Sequence, residues 1–308
     1  MSQIFGPVPS RRLGFSLGVD VIPFKTCSLD CVYCQLGKTT NKTVKRKEYI
    51  AADSILREIE KAIINKKNQK IDYITFSGSG EPTLNIRIGD IIEKIKKITP
   101  IPVAVLTNGT LLYSPRLQEE LQHADLIIPS LDAPDEETFK KINRPYPSLT
   151  LDKVIGGLQS FSQKFKGKIW LEIMLVKKIN DSPEQIEKMA QIINEIKLDK
   201  IQLNTPVRPP AEEFAHPVSL SFLKKAQSIL GERCEIIPGF KKFQQRLYRK
   251  DIEETILTIV KRRPVTLNDL SRSLGIHQNE AIKYIQALQE KNLINFRTYN
   301  KKRYYYSA

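Results

Sequence analysis

Residues 71–82 read IDYITFSGSGEP, and this stretch decides the fold class. A β-branched run at 71–76 leads directly into a loop of glycine, serine and an acidic residue. The segment 86–98 follows, with apolar residues three and four positions apart, and a second β-branched run lies at 102–106. A strand, a crossover helix and another strand form the unit of a parallel sheet, so the stretch predicts an α/β protein.

The same alternation extends in both directions, from about residue 17 to residue 238. Further strands are predicted at 17–23, 126–130, 168–176 and Lys200–Asn204, and further helices at 53–67, 115–121, 151–163 and 183–196. Repeats of this kind build a barrel or an open sheet, and both bind ligands at the carboxyl ends of the strands. Small, amide and acidic residues gather in the loops at 77–82, 107–109, 131–133 and 204–206, so chemistry is expected there.

Beyond residue 240 the pattern changes to consecutive helices. Helices are predicted at 251–262, 266–274 and 279–290, with Thr266 as the cap of the second. Two alternating runs at 293–298 and 302–306 flank a turn at 299–301. This order is the outline of a winged helix-turn-helix, which predicts a core domain at 1–240 and a winged-helix domain at 241–308.

Charge is concentrated in the second of these regions. The chain of 308 residues carries 49 basic and 34 acidic residues, a formal net charge of +15. Residues 241–308 hold fifteen basic and six acidic residues, 15 − 6 = +9 of that excess. The basic C-terminal module therefore predicts an acidic partner such as RNA, although winged helices also bind proteins.

Composition limits the class of protein. The sequence is 41% hydrophobic and 27% charged, which excludes wholesale disorder and a collagen-like chain. It has no apolar run of the roughly 18 residues that a spanning helix needs, and residues 1–20 lack the features of a secretory signal. We therefore expect a cytoplasmic protein without membrane contact.

Three of the four cysteines, Cys27, Cys31 and Cys34, lie within eight residues. Such crowding in a cytosolic chain indicates metal or redox chemistry. A structural zinc ion would need a fourth, distant ligand, and a thioredoxin-type dithiol would leave Cys27 unexplained. A four-iron cluster normally takes four cysteines, so three would leave one iron open to another ligand.

The segment CSLDCVYC at 27–34 resembles the signature of the radical S-adenosylmethionine (radical SAM) superfamily, in which an aromatic residue precedes the last of three cysteines. SGEP at 79–82 resembles that family's Gly-Gly-Glu-Pro-like loop. The resemblance implies a partial (βα)6 TIM-like barrel, a [4Fe-4S] cluster on the three cysteines, and S-adenosyl-L-methionine on the open iron. It also implies an electron donor such as flavodoxin or ferredoxin, and a 5′-deoxyadenosyl radical that abstracts hydrogen from the substrate.

Two sets of side chains are candidates for the rest of the site. Following the resemblance, cofactor contacts are expected from the Cys loop and the strand ends, namely Tyr33, Ser79, Gly80, Glu81, Asn108, Ser130 and Asp132. Guanidinium groups suit phosphate or carboxylate, so the arginines beside proline or glycine in predicted loops are candidates for substrate binding, namely Arg11, Arg12, Arg144 and Arg208. Local capping and ion pairing are the structural alternatives for each residue.

Four further segments narrow the resemblance. GPVPSRRLG at 6–14, SLGVD at 16–20, CQLG at 34–37 and INRP at 142–145 are similar to a group of iron–sulfur oxidoreductases related to the enzyme that forms the tricyclic base of wybutosine in transfer RNA. The chain lacks the second cluster's cysteines and the flavodoxin-like domain of that enzyme. The resemblance to this RNA-modifying enzyme and the basic C-terminal module lead us to predict RNA modification. The alternatives are modification of a peptide or a small metabolite, or a non-enzymatic iron–sulfur regulator that binds DNA.

Overall fold

Strands supply the frame of the molecule. The computed structural model describes residues 3–65, 70–207, 210–237, 250–262, 264–299 and 302–308. Its strands are β1 (Ile4–Ser10), β2 (Gly14–Val19), β3 (Thr26–Cys27), β4 (Asn41–Lys42), β5 (Tyr73–Phe76), β6 (Val103–Thr107), β7 (Leu126–Pro129), β8 (Lys168–Met174), β9 (Lys200–Asn204), β10 (Cys234–Ile236), β11 (Ile294–Tyr299) and β12 (Lys302–Ser307).

Eight strands form one sheet in the order β1-β2-β5-β6-β7-β8-β9-β10. The strands from β2 to β10 are parallel to one another, and β1 is antiparallel to β2, with Ile4 opposite Val19. The carboxyl ends of the parallel strands therefore meet along one edge, where ligands of α/β proteins bind. The predicted α/β class with a parallel sheet is confirmed.

The sheet is strongly curved, as an ion pair across it demonstrates. Arg12, in the turn between β1 and β2, contacts Glu172 on β8 at 2.5 Å. Four strand spacings separate β2 from β8, which is about 19 Å in a flat sheet and too far for these two side chains. Leu13 of the same turn packs against Ala104 on β6 and Leu126 on β7. The turn therefore lies inside the curve of the sheet.

Ten α-helices lie in the described residues; the first seven pack against the sheet, and the last three belong to the C-terminal elements. They are α1 (Ala52–Asn65), α2 (Ile88–Ile98), α3 (Pro115–Glu120), α4 (Glu136–Ile142), α5 (Leu151–Lys164), α6 (Pro183–Asn194), α7 (Leu220–Leu230), α8 (Lys250–Arg262), α9 (Leu267–Leu274) and α10 (Gln278–Glu290). No helix in the described part of the chain is long and apolar enough to cross a membrane.

Helix α2 illustrates why these segments fold as they do. Its residues Ile88, Ile91, Ile92 and Ile95 are spaced three and four apart, and all four are fully buried in the main hydrophobic core. Burial of each isoleucine side chain stabilises the fold by about 1.5–3 kcal/mol. Lysines fill the last turn, where they complement the negative end of the helix dipole.

The C-terminal elements have a hydrophobic core of their own. Ile256 of α8, Leu270 of α9, Ile285 of α10 and Tyr305 of β12 belong to one buried cluster that is separate from the main core. Helix α9 begins with a capping box between Thr266 and Asp269, so the predicted cap is present. The strands β11 and β12 pair as an antiparallel hairpin.

The predicted elements are present, with ends displaced by up to four residues. The largest displacement is in β2, predicted at 17–23 and found at Gly14–Val19, because Asp20 accepts a hydrogen bond from the Ile22 amide and turns the chain. Sequence reasoning missed β1, whose two prolines are tolerated because it is an edge strand. It also missed α4 and α7, and the predicted turn at 300–301 lies outside the described residues.

Candidate functional site

The Cys loop, residues 25–37, follows β2 and lies at the carboxyl edge of the sheet. Cys27 ends the short strand β3, which pairs with β4. The Cys34 amide donates to the Cys31 carbonyl at 3.1 Å, and the Gly37 amide donates to the Cys34 carbonyl at 3.0 Å. These successive turns hold three half-buried cysteines on one short segment, with no disulfide among them.

Each of the three sulfur atoms receives a separate N–H donor. Lys25 Nζ lies 3.1 Å from Cys34 Sγ. Asn108 Nδ2 lies 3.5 Å from Cys27 Sγ, and Asn143 Nδ2 lies 3.4 Å from Cys31 Sγ. Donors aimed at sulfur stabilise thiolates and tune iron–sulfur clusters. The arrangement therefore suits three anionic sulfur ligands.

The thiols also act on one another. Burial raises the pKa of Cys27 to about 12 and raises that of Cys31 further, and the charge of the Cys34 thiolate adds to the rise in both. Bound cations reverse this effect, because they deprotonate coordinating thiols. The donor set and the mutual proximity of the thiols thus fit a cationic iron–sulfur group.

A single metal ion fits less well. Among the residues that the structure describes, no group of three or more His, Cys, Asp or Glu side chains could hold one ion. An iron–sulfur cluster distributes its cysteine ligands over different irons, so its thiols stand further apart than the ligands of one zinc ion. The spacing therefore favours a cluster over the zinc alternative.

Lys25 is a buried cation that sequence reasoning missed. Its side chain is only 3% exposed, and its backbone has a φ of 58°. Its amide donates to the Ser79 carbonyl, which ties the Cys loop to the loop after β5. Burial opposes its charge, but the thiols of Cys34, Cys27 and Cys31 raise the pKa of Lys25 overall. The ammonium group of Lys25 therefore lies beside the cysteine thiols, which stabilise its protonated form.

The loop at 77–82 packs directly against the Cys loop. A Cβ on Gly80 would lie 1.8 Å from the Thr26 carbonyl oxygen, so only glycine fits beside the residue that precedes Cys27. Gly78 has a φ of +155°, and a Cβ there would meet Asp20. The Ser79 amide and hydroxyl both donate to the Asp20 carboxylate. Ser79 therefore fixes the loop with its side chain.

The Glu81 carboxylate is buried and fully hydrogen-bonded. It accepts from the Thr83 amide and hydroxyl at 3.0 and 2.6 Å, from the Thr107 hydroxyl at 2.7 Å and from the Asn108 amide at 2.7 Å. These bonds occupy the roughly four acceptor positions of a carboxylate. Burial raises the pKa of Glu81, and the hydrogen bonds to its carboxylate oppose this rise. Glu81 thus caps the short 3-10 helix Pro82–Leu84 and braces the end of β6.

A second buried carboxylate links three elements. Asp132, after β7, accepts from the Tyr33 hydroxyl at 2.5 Å, from Asn143 Nδ2 at 2.8 Å and from the Met174 amide at 2.8 Å. Burial raises the pKa of Asp132 to about 6, and the hydrogen bonds from Tyr33 and Asn143 limit the rise. These hydrogen bonds hold Tyr33 in place and position Asn143 beside the sulfur atom of Cys31.

Asn108 and Ser130 lie at neighbouring strand ends and line one small crevice with Asp132 and Asn143. Asn108 Nδ2 also donates to the Ser28 hydroxyl at 2.8 Å, so this side chain holds the Cys loop in place. The Ser130 amide donates to the Thr107 carbonyl, while its hydroxyl contacts no side-chain partner among the described residues.

The four candidate arginines have different surroundings. Arg144 pairs with Glu212 at 2.6 Å and lies 3.9 Å from Asp30, so it braces the Cys loop. Arg12 makes a two-pronged contact with Glu172. Arg11 donates to Asn204 Oδ1 at 3.1 Å inside the curved sheet. Arg208 lies outside the described residues.

The structure thus brings together most of the predicted site, and it adds residues that the sequence did not single out. Lys25 and Asn143 contact sulfur, and Asp20 anchors Ser79. Asn143 lies within the INRP segment, and that segment was the available signal. Asp20 ends the SLGVD segment, which was its signal. Lys25 had no signal beyond its position two residues before Cys27, because its role depends on loop packing.

Comparison with known proteins defines the class. The family model of the Radical SAM superfamily matches residues 21–193, a segment that contains the Cys loop, the 77–82 loop and Asp132. The chain therefore belongs to the radical SAM superfamily and is an enzyme of that superfamily. Its cofactors are a [4Fe-4S] cluster and S-adenosyl-L-methionine, and such enzymes need an electron donor.

Relatives narrow the assignment. A UPF0026 protein of Methanocaldococcus jannaschii is 37% identical over 270 residues, which cover 86% of this chain and 84% of that protein. Within the superfamily, the chain belongs to the UPF0026 proteins. The GTPase Obg of Brachyspira hyodysenteriae is 41% identical over 95% of this chain, but the chain spans only 43% of that protein. The chain contains no G-x-x-x-x-G-K-S/T motif for nucleotide phosphates.

More distant proteins share the same core. The dual-specificity RNA methyltransferase RlmN of Pseudomonas entomophila is 27% identical over 66% of this chain and 55% of that protein. A radical SAM methyltransferase from Sphaerobacter thermophilus is similar in structure, with a TM-score of 0.57 and 18% identity over 72% of this chain and 65% of that chain. The structure of anSMEcpe with bound AdoMet has a TM-score of 0.53, with 19% identity over 79% of this chain and 66% of that chain. These structural similarities concern the fold.

Proposed function

We propose that Cys27, Cys31 and Cys34 are the three cysteine ligands of the [4Fe-4S] cluster and leave one iron for S-adenosylmethionine. The proposal is carried by the convergence of the thiols and by the separate N–H donor that each sulfur receives. Cys234 is buried in β10, in a different part of the sheet. It serves as a matched control cysteine.

S-adenosylmethionine would lie beside the Cys loop, at the carboxyl edge of the sheet. Gly78 and Gly80 would contribute by letting the 77–82 loop pack against Asp20 and Thr26 next to the cysteines, and Ser130 offers a hydroxyl at the end of β7. The polar atoms of Glu81, Asn108 and Asp132 are hydrogen-bonded to other parts of the protein. We therefore assign these residues an indirect role, in which they position the neighbouring loops and strand ends. Tyr33 is fixed by Asp132 and would contact the adenine side.

When bound, the cofactors supply one-electron cleavage of S-adenosylmethionine and hydrogen abstraction by the 5′-deoxyadenosyl group. The chain's own residues would hold and orient the cofactors and would shield the reaction from water. Lys25 places a positive charge beside Cys34, and the buried loops exclude water. A flavodoxin or ferredoxin would deliver the electron.

The fold carries two further proposals. The curvature documented by the Arg12–Glu172 pair supports a partial (βα)6 barrel of the radical SAM type. The separate C-terminal core, the order of helices α8 to α10 and the β11–β12 hairpin support a winged helix. We place the boundary at residue 240, with the core at 1–240 and the winged-helix domain at 241–308.

The substrate that we propose is RNA. This is motivated by the RNA methyltransferase among the relatives, which matches two thirds of the chain, and by the basic C-terminal module. Lys302 on β12 is exposed, and Arg297 on β11 lies 5.9 Å from the ring of Tyr306. Cations next to aromatic rings offer both phosphate contacts and stacking surfaces to a single strand.

The reaction is tested anaerobically with the reconstituted, reduced protein. 5′-Deoxyadenosine is quantified with bulk cellular RNA, with the same RNA after nuclease digestion, and with a peptide mixture. We expect intact RNA to stimulate its formation several-fold over the digested RNA. Stimulation by peptides alone would reject RNA as the substrate, and an intact cluster that never cleaves S-adenosylmethionine would favour the iron–sulfur regulator.

RNA binding by the C-terminal module has its own test. Replacement of Lys302 by Gln should weaken binding and reduce the magnitude of the salt dependence by about 0.7–0.9 per lost phosphate contact. The matched control is Lys224→Gln, which removes an exposed lysine from α7 in the core. Equal salt slopes for the two variants would place RNA elsewhere on the protein.

A further inference from the structure

A basic segment follows the Cys loop directly along the chain. Residues 38–47 read KTTNKTVKRK, with five cations and no carboxylate. The side chains of Lys38, Lys42, Lys45 and Lys47 are exposed, and Arg46 is half-buried. The basic segment therefore presents four ammonium groups to solvent.

The backbone of the basic segment is joined to that of the Cys loop. Strand β4 pairs with β3 in parallel, so that Lys42 is the register partner of Cys27. The Thr43 amide donates to the Cys27 carbonyl at 2.9 Å. At the other end of the segment, Lys47 forms a β-bridge with Asn85. The exposed lysines therefore lie on a strip of fixed backbone beside one of the proposed cluster ligands.

Two of the five cations are paired with carboxylates. Lys38 lies 3.2 Å from Glu212, which Arg144 also contacts, and Arg46 contacts Glu120. These ion pairs hold the basic segment against the rest of the core. Positions 38 and 46 therefore have less charge to offer to a partner.

The other three cations have different surroundings. Lys42 Nζ lies 3.3 Å from the Arg144 carbonyl oxygen, a neutral acceptor. Lys47 Nζ lies 4.8 Å from the centroid of the Tyr49 ring. Among the residues that the structure describes, neither of these lysines nor Lys45 forms an ion pair with a carboxylate. These three lysines are therefore the ones that suit an acidic partner.

Carboxylates near the basic segment reduce its charge but do not cancel it. The carboxylates that contact the segment or lie directly beside it are Asp30, Glu48, Glu120 and Glu212. Asp30 accepts from the Thr39 amide at 2.7 Å, and Glu48 accepts from the Ala52 amide at 2.8 Å. With Arg144 included, six cations lie against these four carboxylates, which leaves an excess of two positive charges.

A positive surface beside the cysteines suits an electron donor. Enzymes of this superfamily need such a donor, and the rate of electron transfer falls steeply as the distance between two redox groups grows. Encounters of this kind bury little surface and are steered by complementary charge. An acidic carrier that docks on the basic segment would lie next to Cys27, to which the segment is hydrogen-bonded.

RNA is also acidic, but the basic segment has few of the features that bind it. Sites for single strands combine cations with aromatic rings on which the bases stack. Tyr49 is the aromatic residue within 38–49, and Lys47 lies over its ring. The guanidinium group of Arg46, another stacking surface, is held by Glu120. These observations favour an acidic protein over RNA as the partner of this surface.

We propose that the basic segment is the docking surface of the electron donor, an acidic protein that carries a one-electron redox group. Lys42, Lys45 and Lys47 pair with carboxylates of this protein. One electron leaves the reduced donor and enters the cluster, and no atom is transferred. The inference rests on the proposed function, because the surface serves an electron donor only if the three cysteines hold the cluster.

The first test measures binding of purified flavodoxin, used as the acidic carrier, to the full-length reconstituted protein by isothermal titration calorimetry. The triple variant Lys42→Gln, Lys45→Gln, Lys47→Gln should bind flavodoxin about 10-fold more weakly at low ionic strength. The difference should disappear near 1 M salt, where the screening length is about 3 Å. A variant that binds as tightly as the unmodified protein at low ionic strength would overturn the proposal.

A matched control removes the same charge from another surface. Three exposed lysines on helices α6 and α7 are replaced by Gln in this control, namely Lys188, Lys224 and Lys225. We expect the control variant to bind flavodoxin as the unmodified protein does. An equal loss in both triple variants would show that net charge alone governs binding, and it would overturn the assignment to the basic segment.

The second test compares two reductants. Formation of 5′-deoxyadenosine is measured with reduced flavodoxin and, separately, with dithionite, a small reductant that needs no docking surface. The triple variant at 42, 45 and 47 should be about 10-fold slower with limiting flavodoxin and unchanged with dithionite. An equal loss with both reductants would show damage to the cluster and would overturn the docking role.

The remaining outcomes separate this inference from the proposals on which it rests. Loss of oligoribonucleotide binding in the triple variant, with flavodoxin binding retained, would assign the surface to RNA and overturn the proposal. Absence of cleavage with both reductants in the unmodified protein would reject the proposed cluster function. Normal cleavage with dithionite, together with equal flavodoxin binding by both proteins, would reject the docking surface alone.

Discussion

Replacement of Gly80 by Ala tests how tightly the 77–82 loop is fitted to the Cys loop. A Cβ at position 80 would lie 1.8 Å from the Thr26 carbonyl oxygen, a backbone atom. The two atoms must separate by a further 1.2 Å to reach even 3.0 Å, the difference between 3.0 and 1.8. Thr26 precedes Cys27, so the required movement displaces one of the three cysteines that we propose as cluster ligands.

The energetic cost follows from these contacts. Overpacking of this kind costs about 1–3 kcal/mol, and loss of the hydrogen bond from the Glu81 amide to the Thr26 carbonyl costs about 1 kcal/mol more. A loss of about 2–4 kcal/mol should lower the thermal midpoint of the cluster-free protein by about 5–10 °C. The displaced Cys27 should also lower the iron content after reconstitution.

Gly156 provides a matched control. It lies in helix α5, and a Cβ there would meet no atom within 4 Å. Gly156→Ala should therefore keep full iron content and stabilise the protein by up to about 1 kcal/mol. Calorimetry of both variants and iron analysis make the comparison. A Gly80→Ala protein as stable and as rich in iron as the unmodified protein would refute the reasoning.

Three other changes have distinct expected outcomes. Lys25→Met removes a positive charge 3.1 Å from Cys34 Sγ and should lower the reduction potential of the cluster by about 100 mV. A redox titration monitored by EPR measures this potential, and an unchanged value would contradict the assigned contact. Burial raises the pKa of Asp132 to about 6 in the folded protein, whereas in the unfolded chain the carboxyl loses its proton from about pH 4. Between these values only the folded protein holds the proton. The contribution of Asp132 to the free energy of unfolding therefore falls by about 3 kcal/mol as the pH rises from 4 to 6. Denaturant titrations of the cluster-free protein at pH 4 and pH 7 should show that fall relative to Asp132→Asn, and a constant difference would exclude it. His277→Ala removes a helix cap, a ring stack and the contact with Asp20, and should cost about 2 kcal/mol and speed proteolysis of the C-terminal helices; unaltered proteolysis would argue against the docking of α10.

Sequence reasoning was strongest where a pattern repeats locally. Alternating β-branched runs and helical periodicity located the parallel strands, and the Cys27–Cys34 spacing located the centre of the site. Thr266 was also predicted as a helix cap, and the structure shows that it caps α9 in a capping box with Asp269. Local patterns of this kind survive folding unchanged.

The roles of polar residues were harder to predict because they depend on distant partners. Glu81 was expected to face the cofactor, but its carboxylate is occupied by Thr83, Thr107 and Asn108. Arg144 was a candidate for substrate binding, yet it pairs with Glu212, which lies 68 residues further along the chain. No sequence pattern connects such partners before the fold brings them together.

The central claim is that Cys31, with Cys27 and Cys34, holds the cluster that cleaves S-adenosylmethionine. It is tested most directly by measuring this reductive cleavage in variants in which one cysteine is replaced. After anaerobic reconstitution and reduction, 5′-deoxyadenosine is quantified for the unmodified protein, for Cys31→Ala and for Cys234→Ala. The account predicts formation by the unmodified protein and by Cys234→Ala, with no cluster and no product in Cys31→Ala. An intact cluster and normal cleavage in Cys31→Ala would contradict it.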